Sequence, residues 1–207
     1  SMADYELKIR DPVKNHLVAN NIKEKIFYMV TTYGVPFKLT GSGGVCLDSW
    51  LTDPFNEAMG NPYYAMEGHP INNQSYYLVT RLDGETPQLA KELVDRALYG
   101  EQHARPEYGF GYFDAREYPT GPNTGYAAGD YDILYAYQFC QQAGYSCELD
   151  TNGAMYGEEP ARLWCPRTLW NWGWYHMETY NDAFDWLPGA MGVDIGSTSA
   201  YDIRKGK

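Results

Sequence analysis

Apolar runs of strand length alternate with helical periods along most of this chain, and this alternation most limits its fold. Short runs rich in β-branched and aromatic residues indicate strands at Ile26–Val35, Tyr76–Leu82, Tyr108–Phe113, Ser146–Leu149, Thr168–Tyr175 and Gly189–Ile195. Helical spacing lies between some of them, at Thr86–Leu98 and Tyr131–Gln142. Such alternation favours parallel strands joined by crossovers. The sequence therefore predicts an α/β fold: a doubly wound, mainly parallel sheet of about five or six strands with helices on both faces.

Three segments in the first part of the chain add detail to this expected architecture. Ile26–Val35 is continuously apolar, β-branched and aromatic, which is typical of a strand buried on both faces. Asp4–Asn20 has helical spacing with Pro12 as a break, and the polar stretch Thr40–Ser75 predicts a long loop of the kind that forms lids or binding sites. A length of 207 residues without internal repeats predicts a single domain over residues 1–207.

Composition and charge exclude several classes of function. The net charge of −11 argues against nucleic-acid binding, because phosphate neutralisation needs clustered Lys and Arg. No run approaches the roughly 20 apolar residues of a membrane helix, so no membrane partner is expected. The charged start predicts no signal peptide, and hence a cytoplasmic location for this chain as it stands.

The four cysteines do not have the spacing of a zinc site, since the chain contains no CxxC pair. Cys140 and Cys147 flank a predicted helix-to-strand turn, so the sequence allows either a disulfide there or two reduced, partly buried thiols.

Candidate chemistry lies where the predicted strands end, because ligands of open α/β sheets bind beyond the carboxyl ends of the strands. His176 follows the fifth strand and is a candidate general base near neutral pH. A carboxylate would orient it, and the candidates are Asp114 and Glu178, with Asp182 as a further alternative. Ser197 is a candidate nucleophile, although the segment lacks the GxSxG elbow of α/β-hydrolases; a Ser/Thr turn that caps the next element is the alternative.

Other strand-end residues suggest binding roles. Trp174 and Tyr175 are expected to form part of a pocket wall, with Arg81 holding a polar group of the ligand. Asp48 and Asp83 lie in or beside strand-end loops, and scattered loop carboxylates suit a divalent cation such as calcium. No EF-hand spacing accompanies these two carboxylates.

The stretch Leu169–Trp186 combines four of the six tryptophans with a histidine and several acids. Trp170 and Trp172 alternate with small or polar residues, so both rings are expected on one face of the sheet, in the core. Trp174 continues that face near the sheet edge, and the residues after it are the functional candidates.

Several segments together resemble an uncharacterised bacterial protein family, and they extend over most of the chain: IFYMVTTYGVPFKL, CLDSWL, NPYY, YYLVTRLDGETPQLAKELVDRAL, GYFDAR and GWYHMETYNDAFDWLPGAMG. The layout of that family is distantly similar to the caspase-like and gingipain-type α/β domains. The corresponding dyad positions would lie around Gly173–His176 and Gly196–Ser199, without a cysteine near Ser197. The resemblance also implies frequent secretion and a longer domain, of which this chain would be a shortened version. Because a shortened sheet exposes strand edges, a homodimer is expected.

Two functions remain open from the sequence. The first is a hydrolase acting on a small organic ester, lactone or amide, in which His176 activates water or Ser197 and a cation held by Asp48 and Asp83 is an alternative activator. The second is a non-catalytic ligand-binding or scaffold domain, in which the aromatic side chains hold a small molecule. A small-molecule ligand is common to both.

Overall fold

The computed structural model describes residues 1–41, 45–55, 76–174 and 180–195. These residues form an α/β protein with mainly parallel strands, which confirms the predicted fold class. The chain divides into two compact units, Ser1–Ala90 and Lys91–Lys207. That residues 1–207 act as one domain stays a prediction.

The described strands form two hydrogen-bonded sheets, and every strand pair in them is parallel. The strands are β1 (Tyr28–Thr32), β2 (Leu78–Leu82), β3 (Phe110–Asp114), β4 (Ser146–Asp150), β5 (Cys165–Trp174) and β6 (Phe184–Ile195). The helices are α1 (Met2–Tyr5), α2 (Asp11–Ala19), α3 (Leu47–Leu51), α4 (Pro87–His103) and α5 (Tyr126–Gln142). All six predicted strands are present, with some boundaries shifted by several residues.

The first unit contains the two-stranded sheet β1–β2 and the short helices. A π-helical turn, Glu6–Arg10, links α1 to α2 directly before Pro12, whose missing N–H weakens the regular helical ladder there. The core of this unit contains Tyr5, Leu39, Leu47 and Leu51.

The expectation that the first strand is buried on both faces is wrong. Tyr28 is 54% exposed and Val30 is 50% exposed, whereas Thr31, on the other face, is buried. Because Val79 of the paired strand packs against the core on that other face, the described packing covers only one side of the sheet.

The second unit contains a four-stranded sheet in the order β4-β3-β5-β6. On one face, α5 contributes Ile133 to a cluster with Phe113 and Ala115, and Trp170, Trp172 and Trp174 pack against it. This confirms that the alternating tryptophans share one layer. A second cluster contains Tyr112, Tyr156, Ala161, Cys165 and Ala183.

All four cysteines are free thiols, which decides between the two alternatives for Cys140 and Cys147. Burial, with a smaller contribution from neighbouring Cys140, raises the pKa of the Cys147 thiol to about 11. Within the described residues, no helix is both long enough and apolar enough to cross a membrane.

Candidate functional site

The connections of the four-stranded sheet diverge between β3 and β5. From the carboxyl end of β3 the chain passes through α5 to β4 on one side, and β5 is followed by β6 on the other side. Ligands of open parallel sheets bind at such a switch point, beyond the carboxyl ends of the strands. The side chains at the ends of β3 and β5 therefore define the candidate site.

Asp114, the last residue of β3, lies in the middle of this edge. It pairs in register with Asp150 of β4 on one side and with Gly173 of β5 on the other. A Cβ atom on Gly173 would lie 3.0 Å from the Cβ of Asp114, so the glycine leaves room for the carboxyl group. The side chain is nearly enclosed, since Asp114 is only 6% exposed.

The environment of Asp114 makes its proton available near neutral pH. Burial raises the pKa of this carboxyl to about 7, and the neighbouring charge of Asp150 adds to the rise. The backbone N–H of Tyr156 donates to Oδ2 of Asp114 at 3.2 Å, and this hydrogen bond lowers the pKa in part. A carboxyl with such a pKa, at such a place in the fold, is a candidate acid–base group.

The loop after β4 holds Tyr156 in position for this contact. The Asp150 carboxylate accepts from the backbone N–H of Asn152 at 2.9 Å, and the Asn152 side chain accepts from that of Ala154 at 2.8 Å. These two Asx turns direct the chain back over the strand ends. The Tyr156 hydroxyl then donates to the carbonyl of Phe113 at 3.3 Å, so Tyr156 contacts β3 through both its backbone and its side chain.

A second carboxylate, Asp130 of α5, organises the neighbouring strand ends and is fully buried. Its Oδ1 accepts from the indole Nε1 of Trp174 at 2.7 Å and from the backbone N–H of Arg116 at 3.0 Å. Its Oδ2 lies 3.5 Å from Nη2 of Arg116. This one side chain thus joins α5 to the chain just beyond β3 and to the end of β5.

The guanidinium of Arg116 lies against two aromatic rings. Its central carbon is 4.3 Å from the ring centre of Trp174 and 4.8 Å from that of Tyr126. The two rings meet edge to face at 5.9 Å. Gly129 permits this packing, because a Cβ atom there would lie 2.5 Å from the Trp174 ring. The Arg116 side chain stays 39% exposed, so the group is both held and accessible to solvent.

The structure brings together two of the predicted site residues, Asp114 and Trp174, at the ends of neighbouring strands. The ring of Trp174 contacts Arg116 and its indole N–H is bound to Asp130, and its expected place in a pocket wall stays a prediction. The predicted residues Tyr175, His176, Glu178 and Ser197 lie outside the described residues. Their roles stay predictions.

The other predicted residues meet in the first unit, around Arg81. Nε and Nη2 of Arg81 donate to the two carboxylate oxygens of Asp48, both at 2.8 Å, and Nη1 donates to Asp83 at 3.4 Å. Nη1 and Nη2 also donate to the carbonyls of Val35 and Pro36. All five N–H donors of the guanidinium are thereby used.

In the described structure the N–H donors of Arg81 are all bound by the protein, so Arg81 stabilises the strand ends of its own unit. The expected roles of Arg81 in holding a ligand and of Asp48 and Asp83 in binding a cation stay predictions. The carboxylates that were expected to bind a divalent cation surround this guanidinium. In the described ranges, no group of three His, Cys, Asp or Glu side chains is placed to hold a metal ion.

Sequence reasoning missed Asp130, Tyr126 and the role of Arg116. A signal for Asp130 exists in the helix pattern, because Asp130, Ile133, Leu134 and Tyr137 have the i, i+3, i+4, i+7 spacing of one buried face. A carboxylate in such a face needs a buried partner. No comparable local pattern marks Arg116, whose side-chain partners Tyr126, Asp130 and Trp174 are not its sequence neighbours.

The chain matches no family model, no curated protein and no solved structure. The candidate site is accordingly defined by its own geometry at the carboxyl edge of the four-stranded sheet. It combines a buried carboxyl that titrates near neutral pH, a guanidinium that lies against two aromatic rings, and a buried carboxylate that binds the Trp174 indole and the Arg116 backbone.

Proposed function

We propose that the protein is a hydrolase that acts on a small organic ester, lactone or amide at the carboxyl ends of β3 and β5, with Asp114 as its acid–base group. The observation that carries this proposal is the placement of Asp114 at the switch point of the sheet, buried between the ends of its two neighbours. Within the described residues, its Oδ2 accepts one hydrogen bond, and Oδ1 accepts none. Oδ1 is therefore the oxygen that would meet a substrate or a water molecule.

The chemistry follows from moving one proton in and out of this carboxyl. As a carboxylate, Asp114 takes a proton from a water molecule while the water oxygen bonds to the substrate carbonyl carbon. As a carboxylic acid, it returns the proton to the leaving oxygen or nitrogen when the carbon–heteroatom bond breaks. A pKa near the working pH suits both steps, because each protonation state is well populated.

His176 and Ser197 give a second version of the same reaction. His176 would take the proton from water or from Ser197, and Asp114 or Glu178 would orient the imidazole. Tyr175 would contribute to the pocket wall beside Trp174. In this version Asp114 acts through His176. The pH dependence of kcat/KM near neutrality then comes from His176, whereas in the first version it comes from Asp114.

The test is a panel of small ester, lactone and amide substrates assayed on the wild type, Asp114→Asn and His176→Ala. Loss of a general acid–base group should lower kcat/KM by about 100-fold or more. Asp132→Asn is the matched control, since it neutralises an exposed carboxylate on α5. Equal activity in the wild type and Asp114→Asn would contradict the proposal, and equal activity in His176→Ala would remove the histidine from the mechanism.

A non-catalytic ligand-binding domain is the second candidate, and the held guanidinium of Arg116 favours it. A positive group fixed between Trp174 and Tyr126 serves binding whether or not a reaction follows. Saturable ligand binding without turnover on any substrate of the panel would support this candidate over the hydrolase.

The homodimer is a separate proposal, and it does not depend on the reaction. Light scattering after size-exclusion chromatography should give a mass near twice the chain mass of 23.6 kDa. A mass near 23.6 kDa itself would contradict it.

A further inference from the structure

We infer that Arg116, just beyond the carboxyl end of β3, is a binding site for the carboxylate group of a small molecule. The inference deepens the proposed function and rests on it in one respect: the ester, lactone or amide substrate would carry a separate carboxylate. The binding site itself is argued from the surroundings of Arg116 alone.

The guanidinium of Arg116 is held in place before any ligand arrives. The Trp174 ring lies 4.3 Å from its central carbon and the Tyr126 ring 4.8 Å from it. The backbone at Arg116 is held by the hydrogen bond from its N–H to Asp130. Cation–π contacts of this kind restrict a side chain that is otherwise flexible. Binding an anion then requires little further loss of side-chain freedom.

The side-chain donors of Arg116 are available to a ligand. A guanidinium has five N–H donors in a planar fork. Across the described residues, no side-chain N–H of Arg116 makes a hydrogen bond, and the closest acid contact is the 3.5 Å ion pair with Oδ2 of Asp130. Exposed Arg167, by contrast, donates to the carbonyls of Glu107 and Tyr108. Arg116 is therefore fixed in place while its donors stay available.

The start of α5 also favours an anion beside Arg116. The helix itself begins after Gly125, whose lack of a side chain leaves the first turn without a side-chain cap. Uncapped N–H groups and the positive end of the helix dipole favour an anion at this end of a 17-residue helix, where the Tyr126 ring meets Arg116.

Charge selects a carboxylate over a phosphate. Arg116 is accompanied by the carboxylate of Asp130, and Asp114 and Asp150 lie at the neighbouring strand ends. These acids leave too little positive charge for a dianion. One edge of a guanidinium offers two parallel N–H groups, which match the two oxygens of a single carboxylate.

The experiment uses benzoate as the probe, with benzamide as its neutral counterpart and inorganic phosphate as the competing anion. Nuclear magnetic resonance follows the Trp174 indole N–H signal, which Trp174→Phe identifies by its loss. Because this N–H is bound to Asp130, it reports on the environment of Arg116. Benzoate should shift the signal to saturation, whereas benzamide should not, and phosphate should bind more weakly than benzoate.

Variants then assign the binding to the guanidinium. Arg116→Gln should weaken benzoate binding by about tenfold or more, the usual effect of losing hydrogen bonds to a charged group. Arg116→Lys keeps the charge but loses the planar fork, and should also weaken binding. Arg96→Gln is the matched control, because it breaks an exposed ion pair of 3.4 Å and should leave affinity unchanged.

Two results would overturn the inference. One is benzoate affinity that stays within about twofold of the wild type in both Arg116 variants while the Trp174 signal shows them folded. The other is tighter binding of phosphate than of benzoate. Asp114→Asn separates this inference from the proposed reaction, since it should abolish turnover and still bind benzoate. A protein that binds benzoate through Arg116 but hydrolyses nothing would fail only the proposed function.

Discussion

The two units each place an arginine among carboxylates at the end of a strand, yet the two clusters differ in what they leave for a ligand. Arg81 in the first unit uses all five donors on two carboxylates and two carbonyls, and its side chain is 15% exposed. Arg116 in the second unit makes one looser ion pair and lies between two rings with 39% exposure. A strand-end guanidinium whose donors are all bound by its own protein stabilises the fold. One that lies against two rings and makes a single long ion pair keeps donors for a ligand.

Replacing Arg81 should have the largest effect on stability. Arg81→Gln leaves Asp48 largely enclosed without its cation, and breaking a buried pair of this kind costs about 3–5 kcal/mol of the free energy of unfolding. Arg81→Lys should recover only part of the loss, because an ammonium cannot reproduce the bidentate contact. Urea denaturation of the purified variants measures both.

Arg162 provides a matched control for Arg81. It also forms a two-point contact with a carboxylate, to Glu148 at 2.7 and 2.6 Å, but its side chain is 47% exposed. Arg162→Gln should cost less than about 1 kcal/mol, since solvent screens an exposed pair. Similar losses in both variants would show that burial does not set the difference.

Replacing Asp114 should raise the free energy of unfolding, and only above about pH 4. Its pKa is raised from 3.8 to about 7, so the folded state holds a proton that the unfolded state has released across that interval. The free energy of unfolding therefore falls as the pH rises from about 4 to 7, and the loss is complete above that range. Asp114→Asn removes the buried charge and should stabilise the protein by about 2–4 kcal/mol at about pH 8, with no gain near pH 4.

The matched control is again Asp132→Asn, whose carboxylate is exposed on α5. A gain for Asp114→Asn that is the same at both pH values would contradict the raised pKa. If Asp114→Asn gains stability in a pH-dependent way and loses activity, Asp114 is a residue that lowers stability and is needed for function.

Local pattern was sufficient for the strands and the longer helices of this fold, and for part of its candidate site. Each predicted strand is present because a short apolar run with turn residues at its ends reports directly on a strand. Asp114 was a candidate for the simple reason that it follows such a run. Helix α3 was missed, since five residues within a segment rich in Gly, Asn and Pro give too short a period to recognise. Strand β6 begins five residues earlier than expected, ahead of Pro188 and Gly189, which usually mark turns.

The burial of the strands and the surroundings of the two arginines depend on contacts that the local sequence does not show. Tyr28 and Val30 are residue types common in buried strands, yet both are exposed. Burial of a strand is decided by how many layers cover its sheet. Arg81 and Arg116 look alike in the sequence, each close to an aspartate at a strand end. Their difference arises from residues outside the immediate sequence, such as Asp48 for Arg81 and Trp174 for Arg116.

Gly129 tests whether the rings hold the second cluster together. Gly129→Ala places a Cβ atom 2.5 Å from the Trp174 ring, so the ring must move away from its place beside Arg116. Overpacking of this kind costs about 1–3 kcal/mol, which exceeds the helical preference for Ala over Gly. Thermal unfolding measures the loss, and the Trp174 indole signal should move as well. Gly121→Ala is the control, because nothing lies within 4 Å of its Cβ position.

Arg116→Gln should cost about 1 kcal/mol of the free energy of unfolding, much less than Arg81→Gln. Any residue at position 116 still offers its backbone N–H to Asp130, and the Trp174 bond to the same oxygen is unaffected. What is lost is one ion pair at 3.5 Å and the stacking on two rings. Urea denaturation of Arg81→Gln and Arg116→Gln under the same conditions compares the two costs. Equal losses would show that both arginines serve the fold, whereas a small loss in Arg116→Gln agrees with a guanidinium that the protein keeps for a ligand.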